Sequence, residues 1–197
     1  IPQLVPLAKD LRKLTLRRAR MGNTSNIVPA VDTHTAGSSN TLMTCVDGPA
    51  THGLPPNIFR AYDIRGIADS DLDDETVFRI GSAIATIAGE LGEQTLCIGY
   101  DGRASSSRIK GVLEKAILQA GRDVIDIGLV PTPLLYFATA LLDAKSGVMI
   151  TGSHNPAQDN GFKMVLGTSS LHGEDVQRLR RLIEQQDFET PNEGSVA

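Results

Sequence analysis

Between residues 71 and 186 the chain alternates between apolar residues at helical spacing and short, nearly continuous apolar runs. Apolar side chains three or four positions apart predict helices with one buried face at residues 74–91, 106–120, 131–142 and 174–186. The short runs predict buried strands at residues 94–100, 123–127, 146–151 and 161–166.

Residues that commonly start and stop helices lie at several of these boundaries. The aspartates among residues 71–74 offer caps to the first helix, whose last apolar position is Leu91 and which Gly92 follows. Ser106 or Ser107 is a candidate cap for the second helix. These signals support the helical interpretation of both segments.

Strands that alternate with helices predict an α/β fold, here a layered α/β/α domain with a mostly parallel sheet of about four strands. The link between the last two strands is short enough for a hairpin, so the sheet is expected to be mixed. In such sheets ligands bind beyond the carboxyl ends of the parallel strands. The loops at residues 101–106 and 151–160 are expected at that edge.

The first 55 residues differ in character from the rest. They carry six Lys and Arg and three Asp, whereas residues 56–197 carry thirteen Lys and Arg and twenty Asp and Glu. We expect a basic, poorly structured arm or linker at 1–55, an organised domain at 56–190 and the start of another linker at 191–197. The basic residues at 9–20 could contact an acidic surface weakly, although a solvated basic helix or tail is the simpler interpretation.

Composition narrows the functional classes. The net charge of −4 and the pI of about 5.5 give no reason to expect nucleic-acid binding. No apolar run is long enough for a transmembrane helix. Cys45 and Cys97 match no metal or redox spacing, and two free thiols favour a reducing, cytoplasmic location. The sequence leaves open whether a membrane-attached region lies upstream of Ile1.

Residues 151–164, TGSHNPAQDNGFKM, place many chemically capable side chains in one loop. A serine hydrolase would need Gly-x-Ser-x-Gly, which is absent here, and in an extended chain His154 would point away from Ser153. His154 and Asp159 are too few for an autonomous metal site. A phosphate suits the loop better, carried covalently on Ser153 with Lys163 as cationic partner. An ordinary Asn-Pro turn is the alternative.

Four stretches of the sequence resemble the α-D-phosphohexomutase family and occur in that family's order. They are FRAYDIRG at 59–66, GYDGRASS at 99–106, TGSHNP at 151–156 and NGFK at 160–163. The match spans roughly residues 57–188. Gly152 and the FRAYDIRG opening favour the phosphomannomutase/phosphoglucomutase branch, and phosphoglucosamine mutase is the alternative within the family.

The resemblance implies that Ser153 is phosphorylated and passes its phosphoryl group to a hexose phosphate. The bisphosphorylated sugar turns round and returns a phosphoryl group from its other end, which interconverts hexose 1-phosphate and hexose 6-phosphate. Lys163 would be the cationic partner, and His154 would position by hydrogen bonding. The residues expected to bind substrate or shape the site are Tyr62, Arg65, Asn155 and Arg103. For Arg65, an ion pair with Asp63 on a turn is the alternative.

The resemblance covers only the first of the family's four domains, so domains II–IV are expected elsewhere in the same protein. It implies Mg²⁺ as cofactor. Only one ligand, the phosphate on Ser153, would come from this chain, and the rest would come from a D-G-D-G-D-R loop in domain II. The isolated chain is therefore expected to have negligible mutase activity. A non-catalytic binding module derived from this domain is the alternative from another functional class.

Overall fold

The computed structural model describes residues 15–17, 53–142, 144–186 and 188. The strands are β1 (Thr15–Arg17), β2 (Ile64–Ile67), β3 (Thr95–Tyr100), β4 (Asp123–Leu129), β5 (Ser146–Ile150), β6 (Asp159–Leu166) and β7 (Ser169–Ser170). The α-helices are α1 (Asp74–Glu90), α2 (Ser106–Gln119), α3 (Thr132–Leu141) and α4 (Glu174–Gln185). A short 3-10 helix, Pro56–Ile58, precedes β2.

All these strands belong to one mixed sheet in the order β1-β4-β3-β5-β6-β2, with β7 paired to β6. β3 runs parallel to β4 and to β5, and the other pairings are antiparallel. The α/β class and the β5–β6 hairpin are confirmed. The expectation of about four strands was wrong, because the described sheet has seven. Since β1, β2 and β7 all join it antiparallel, the parallel pairings are the minority among those described.

The alternation of side chains along the central strands separates two apolar layers. Leu96 and Ile98 of β3 pack into a large cluster that holds the buried faces of α1, α2 and α4. Cys97, which lies between them, packs with Leu135 and Ala138 of α3 on the other side of the sheet. Because successive residues of a strand point to opposite faces, this pattern makes the domain an α/β/α sandwich.

Helix boundaries follow the capping residues, with two differences from the sequence prediction. Asp73 caps α1 by accepting a hydrogen bond from the Thr76 amide at 2.7 Å. α1 ends before Leu91, which is 52% exposed, so Leu91 is not a core position. Ser105, rather than Ser106 or Ser107, occupies the cap position of α2 and makes no capping hydrogen bond. The Ser106 hydroxyl instead donates to Asp101 in the site described below.

The N-terminal strand partly changes the expectation for residues 1–55. Thr15–Arg17 forms β1 and pairs with β4 at one edge of the sheet, so at least this part of the expected arm joins the fold. Residues 1–14 and 18–52, which include most of the basic run at 9–20, and residues 191–197 lie outside the described residues. Within the described ranges, no helix is both long and apolar enough to cross a bilayer.

Candidate functional site

Two polar loops meet where the parallel strands β3 and β5 end. The first loop begins at Asp101 directly after β3, and the second, which we call the serine loop (residues 151–158), connects β5 to β6. The Asp101 amide donates to the Ile150 carbonyl at 3.0 Å, so the two loops start side by side. The expected clustering of both loops at this edge is confirmed.

Ser153 is exposed on the serine loop in an unusual backbone conformation. Its φ of 55° lies in the left-handed region, which costs a non-glycine residue roughly 1 kcal/mol or more. Its amide donates to the Thr151 hydroxyl at 2.9 Å, and the Asn155 amide donates to the Gly152 carbonyl at 3.0 Å. The strained turn thus fixes the backbone while the Ser153 hydroxyl stays accessible to a reacting group.

Arg103 holds the serine loop through its whole guanidinium group. Nε donates to the Asp101 carboxylate at 3.1 Å, and one terminal nitrogen donates to the carbonyls of Ser153 and Asn155 at 2.9 Å each. The other terminal nitrogen donates to the carbonyls of Pro156 and, at 2.9 Å, Asp159. These contacts use all five guanidinium N–H donors. Arg103 therefore holds the serine loop in shape, and its contact with substrate stays a prediction.

Gly152 explains how Arg103 comes so close to the loop backbone. A Cβ atom at Gly152 would lie 2.3 Å from Cζ and 2.5 Å from Nε of Arg103. An arginine held by five hydrogen bonds cannot move aside without breaking several of them. Only glycine at position 152 leaves room for this arrangement.

Asp101 connects the two loops as an ionised acceptor. Its carboxylate accepts hydrogen bonds from the Ser106 hydroxyl and the Thr151 hydroxyl, both at 2.7 Å. Burial by itself would raise the pKa of Asp101. The hydrogen bonds from Ser106, Thr151 and the Arg103 amide, together with the Arg103 charge, outweigh burial and hold that pKa below its ordinary value.

A second set of charges, which we call the cationic cluster (Asp63, Arg65 and Lys163), lies beside the serine loop. Arg65 donates to the Asn155 side-chain oxygen and to the Asp63 carboxylate, both at 2.6 Å. Lys163 of β6 donates to the same Asp63 oxygen at 3.3 Å. The side-chain nitrogen of Asn155 in turn donates to the Asp159 carboxylate at 2.8 Å. The Asp63–Arg65 ion pair is thus present, and Arg65 also reaches the loop.

His154 lies closer to Ser153 than the sequence argument assumed. Its Nδ1 is 3.5 Å from the Ser153 hydroxyl oxygen, because the chain turns here instead of running extended. That distance is at the outer limit of a hydrogen bond. Among the described residues, the structure shows no carboxylate that orients the His154 ring, so the geometry lacks the third member of a hydrolase triad.

Tyr62 and Lys163 share an open groove next to the cationic cluster. The groove has a volume of about 520 Å³ and is lined by Tyr62, Tyr136, Lys163, Met164, Ser169, Ser170, Leu171 and His172. Tyr62 is 72% exposed. An aromatic ring, hydroxyls and an ammonium group in one groove can contact a polar, anionic molecule.

The described residues do not by themselves fit a magnesium site. No group of three or more His, Cys, Asp or Glu side chains among them is arranged to hold a metal ion. Three carboxylates of the site are already engaged, since Asp101 accepts from Arg103, Asp63 accepts from Arg65, and Asp159 accepts from the side-chain nitrogen of Asn155. The ligand expected from the sequence, a phosphate oxygen on Ser153, stays a prediction.

Sequence reasoning missed the residues that hold the site in place. Asp101 and Thr151 directly follow β3 and β5, and that position was the available signal. Asn160 opens the NGFK stretch, but that stretch did not indicate a structural role for it. It is fully buried, and its amide donates to the hydroxyls of Ser105 and Ser106 at 2.9 and 3.0 Å. These contacts depend on tertiary pairing that no local pattern encodes.

Comparison with known proteins identifies close relatives of this domain. Residues 56–190 match the family model described as phosphoglucomutase/phosphomannomutase, alpha/beta/alpha domain I. A phosphomannomutase/phosphoglucomutase of Pseudomonas aeruginosa is 46% identical over 135 residues, which are 68% of this chain and 29% of that protein. A phosphoglucomutase of Neisseria meningitidis serogroup B is 45% identical over 141 residues, covering 71% of this chain and 31% of that protein.

A solved structure agrees with the sequence relatives. The crystal structure of a phosphoglucomutase/phosphomannomutase family protein from Burkholderia thailandensis matches with a TM-score of 0.64 and 40% identity, covering 68% of this chain and 31% of that one. The chain thus spans less than a third of the length of the relatives it matches.

Proposed function

Because the chain belongs to the phosphoglucomutase/phosphomannomutase family, as its alpha/beta/alpha domain I, we propose that it carries the phosphoserine of a phosphohexomutase. The observation that supports this most directly is Ser153, exposed at φ 55° on a loop held by Arg103. A residue that gains and loses a phosphoryl group needs an accessible oxygen on a fixed backbone, because phosphoryl transfer depends on positioning.

The proposed reaction begins with phosphorylated Ser153. The phosphorus–oxygen bond to Ser153 breaks as a bond forms to the oxygen of a free hydroxyl of a hexose phosphate, and the proton of that hydroxyl passes to the released Ser153 oxygen. The bisphosphorylated sugar turns round, and its other phosphoryl group returns to Ser153. Hexose 1-phosphate and hexose 6-phosphate are thereby interconverted. Mannose and glucose phosphates are the proposed substrates, since the relatives are named phosphomannomutase/phosphoglucomutase and phosphoglucomutase.

The chain's own residues have separate proposed roles in this transfer. Lys163 and Arg65 supply positive charge beside the transferring group, and Lys163 helps to move the hydroxyl proton. Tyr62 contacts the sugar from the groove that it shares with Lys163. His154 positions the Ser153 oxygen, and Asn155 joins the loop to Arg65. A contact of Arg103 with substrate belongs to the same proposal.

The rest of the enzyme is proposed to lie beyond this domain. We propose that Mg²⁺ binds with a Ser153 phosphate oxygen as its one ligand from this chain, and that domains II–IV supply the others and the remaining substrate contacts. When bound, Mg²⁺ would neutralise charge on the phosphoryl oxygens. Apart from β1, residues 1–55 are proposed to act as a basic arm or linker. The free thiol of Cys97 supports a cytoplasmic location.

Intact-mass measurement of the full-length protein after incubation with glucose 1,6-bisphosphate and Mg²⁺ tests the proposal. We expect a gain of one phosphoryl group that Ser153→Ala abolishes. The matched control is Ser107→Ala, which removes another exposed hydroxyl, outside the groove and the serine loop, and should leave the phosphorylation unchanged. Phosphate that persists in Ser153→Ala, or no phosphate in any form of the full-length protein, contradicts the proposal. The second result would favour the non-catalytic module.

A further inference from the structure

In the cationic cluster one carboxylate lies between two cations, and its hydrogen bonds to them differ in length. Asp63 Oδ2 accepts from Arg65 at 2.6 Å but from Lys163 at 3.3 Å. The Arg65 side chain is 9% exposed and the Lys163 side chain is 29% exposed. Arg65 is therefore firmly held, whereas Lys163 has a longer bond and room to move.

Asp63 is itself anchored through its backbone carbonyl. Its carbonyl accepts from the Arg60 amide at 2.9 Å, which closes the turn before β2. Its side chain is 11% exposed. The carboxylate thus has a fixed position next to β6, the strand that carries Lys163. An anchored carboxylate and a mobile ammonium form a pair that a stronger anion can separate.

A phosphoryl group on Ser153 would be that stronger anion. It carries a charge near −2 against −1 for the carboxylate, and it offers three acceptor oxygens. The serine loop is already joined to the cluster, because Asn155 is bonded to Arg65. The buried Nε of Arg65 has no hydrogen-bond partner, so the arginine keeps donor capacity that its present contacts leave unused.

We propose that Asp63 is a positioning residue that holds Lys163 when Ser153 is unmodified and yields it to the phosphoryl group when Ser153 is phosphorylated. Asp63 keeps Arg65 in both states. The exchange prevents Lys163 from standing unpaired beside Arg65 after the phosphoryl group has been transferred to the sugar. This role rests on the proposed function, because it concerns the phosphorylated form of Ser153.

The test installs phosphoserine at position 153 during translation of the 197-residue chain and follows the phosphate by ³¹P NMR titration. Because the phosphate is encoded, the result does not depend on whether the protein acquires it from a sugar. In Asp63→Asn the released Lys163 binds the phosphate without competition. We expect the phosphate pKa, about 6 in an ordinary phosphoserine, to be lower by about 0.5 or more than in the unchanged chain.

A double-mutant cycle separates exchange through Lys163 from the direct loss of a negative charge. In the Lys163→Gln background, Asp63→Asn should lower the phosphate pKa by less than half as much. Asp63→Glu keeps the charge and should restore the unchanged value. Asp126→Asn breaks another lysine–aspartate pair, with Lys110 on α2, and should have no effect. The series is repeated with His154→Gln so that imidazole ionisation does not contribute.

Two results overturn the proposal. One is a phosphate pKa that does not change in Asp63→Asn, and the other is the same change with and without Lys163. Thermal unfolding of each variant shows whether it is folded. If Asp63→Asn does not fold, the proposal is tested with Lys163→Gln alone. Loss of Lys163 must then raise the phosphate pKa, and an unchanged phosphate pKa refutes the exchange. Either of these results, if the full-length protein is still phosphorylated at Ser153, rejects the role of Asp63 and leaves the proposed function standing.

Discussion

Replacing Arg103 by glutamine should release the serine loop and destabilise the domain by about 3 kcal/mol. Of the five side-chain hydrogen bonds, those to Asp101, Asn155 and Asp159 are partly buried. Each contributes about 1 kcal/mol net, since water cannot fully replace it. The bonds to Ser153 and Pro156 are exposed and add little, because water takes the place of the lost donor.

Urea unfolding of the 197-residue chain measures the total effect, and hydrogen exchange locates it. Amides of the serine loop should exchange faster in Arg103→Gln, while those of β3 and β5 change only as far as global stability falls. Arg103→Lys should recover less than half of the loss, because one ammonium cannot reproduce the planar fork. The matched control is Arg180→Gln, which removes an exposed pair with Glu184 on α4 and should cost under about 0.5 kcal/mol. The reasoning is refuted if Arg103→Gln is as stable as this control or if loop exchange does not change.

Two further predictions concern stability. Asp101→Asn should destabilise the chain most at neutral pH. Because the folded pKa of Asp101 is lowered, its contribution is present above the ordinary carboxyl pKa of about 3.9 and is lost as the pH falls through the folded value. Urea unfolding at several pH values should show the difference shrinking below about pH 4, and a constant difference would contradict this. Gly161→Ala would place a Cβ 2.1 Å from the Ile64 carbonyl, so we expect a loss of about 2 kcal/mol or more. The control Gly111→Ala, in open space on α2, should stabilise the chain slightly, and equal effects of the two changes would refute the steric explanation.

The central helices and strands could be predicted because their signals are local. The apolar spacing of α1 and the runs that become β3 and β5 are each encoded within a few residues. β2 could not be predicted in this way. Its sequence, Ile-Arg-Gly-Ile, is short and contains a buried arginine and a glycine, and its pairing with β6 joins residues almost a hundred positions apart. Strand formation there is decided by the partner strand.

The candidate site shows the same division between local and distant information. Ser153 could be singled out because a motif surrounds it and a predicted strand precedes it. Arg103 was found by its motif, but its place under the serine loop was not, because four of its acceptors lie about fifty residues further along the chain. Asp63 was considered only as a partner of Arg65. Its contact with Lys163 spans a hundred positions and appears only once β2 and β6 are paired.

The strain at Ser153 and the contacts of Arg103 are two parts of one arrangement. A left-handed serine costs roughly 1 kcal/mol and persists only where its surroundings determine the backbone. Arg103 fixes the backbone by donating hydrogen bonds to carbonyls of the loop, and the Thr151 hydroxyl fixes it by accepting a hydrogen bond from the Ser153 amide. Neither contact engages the Ser153 hydroxyl. The loop can therefore keep its shape whether that oxygen carries a proton or a phosphoryl group, which leaves the adjustment to the nearby cations.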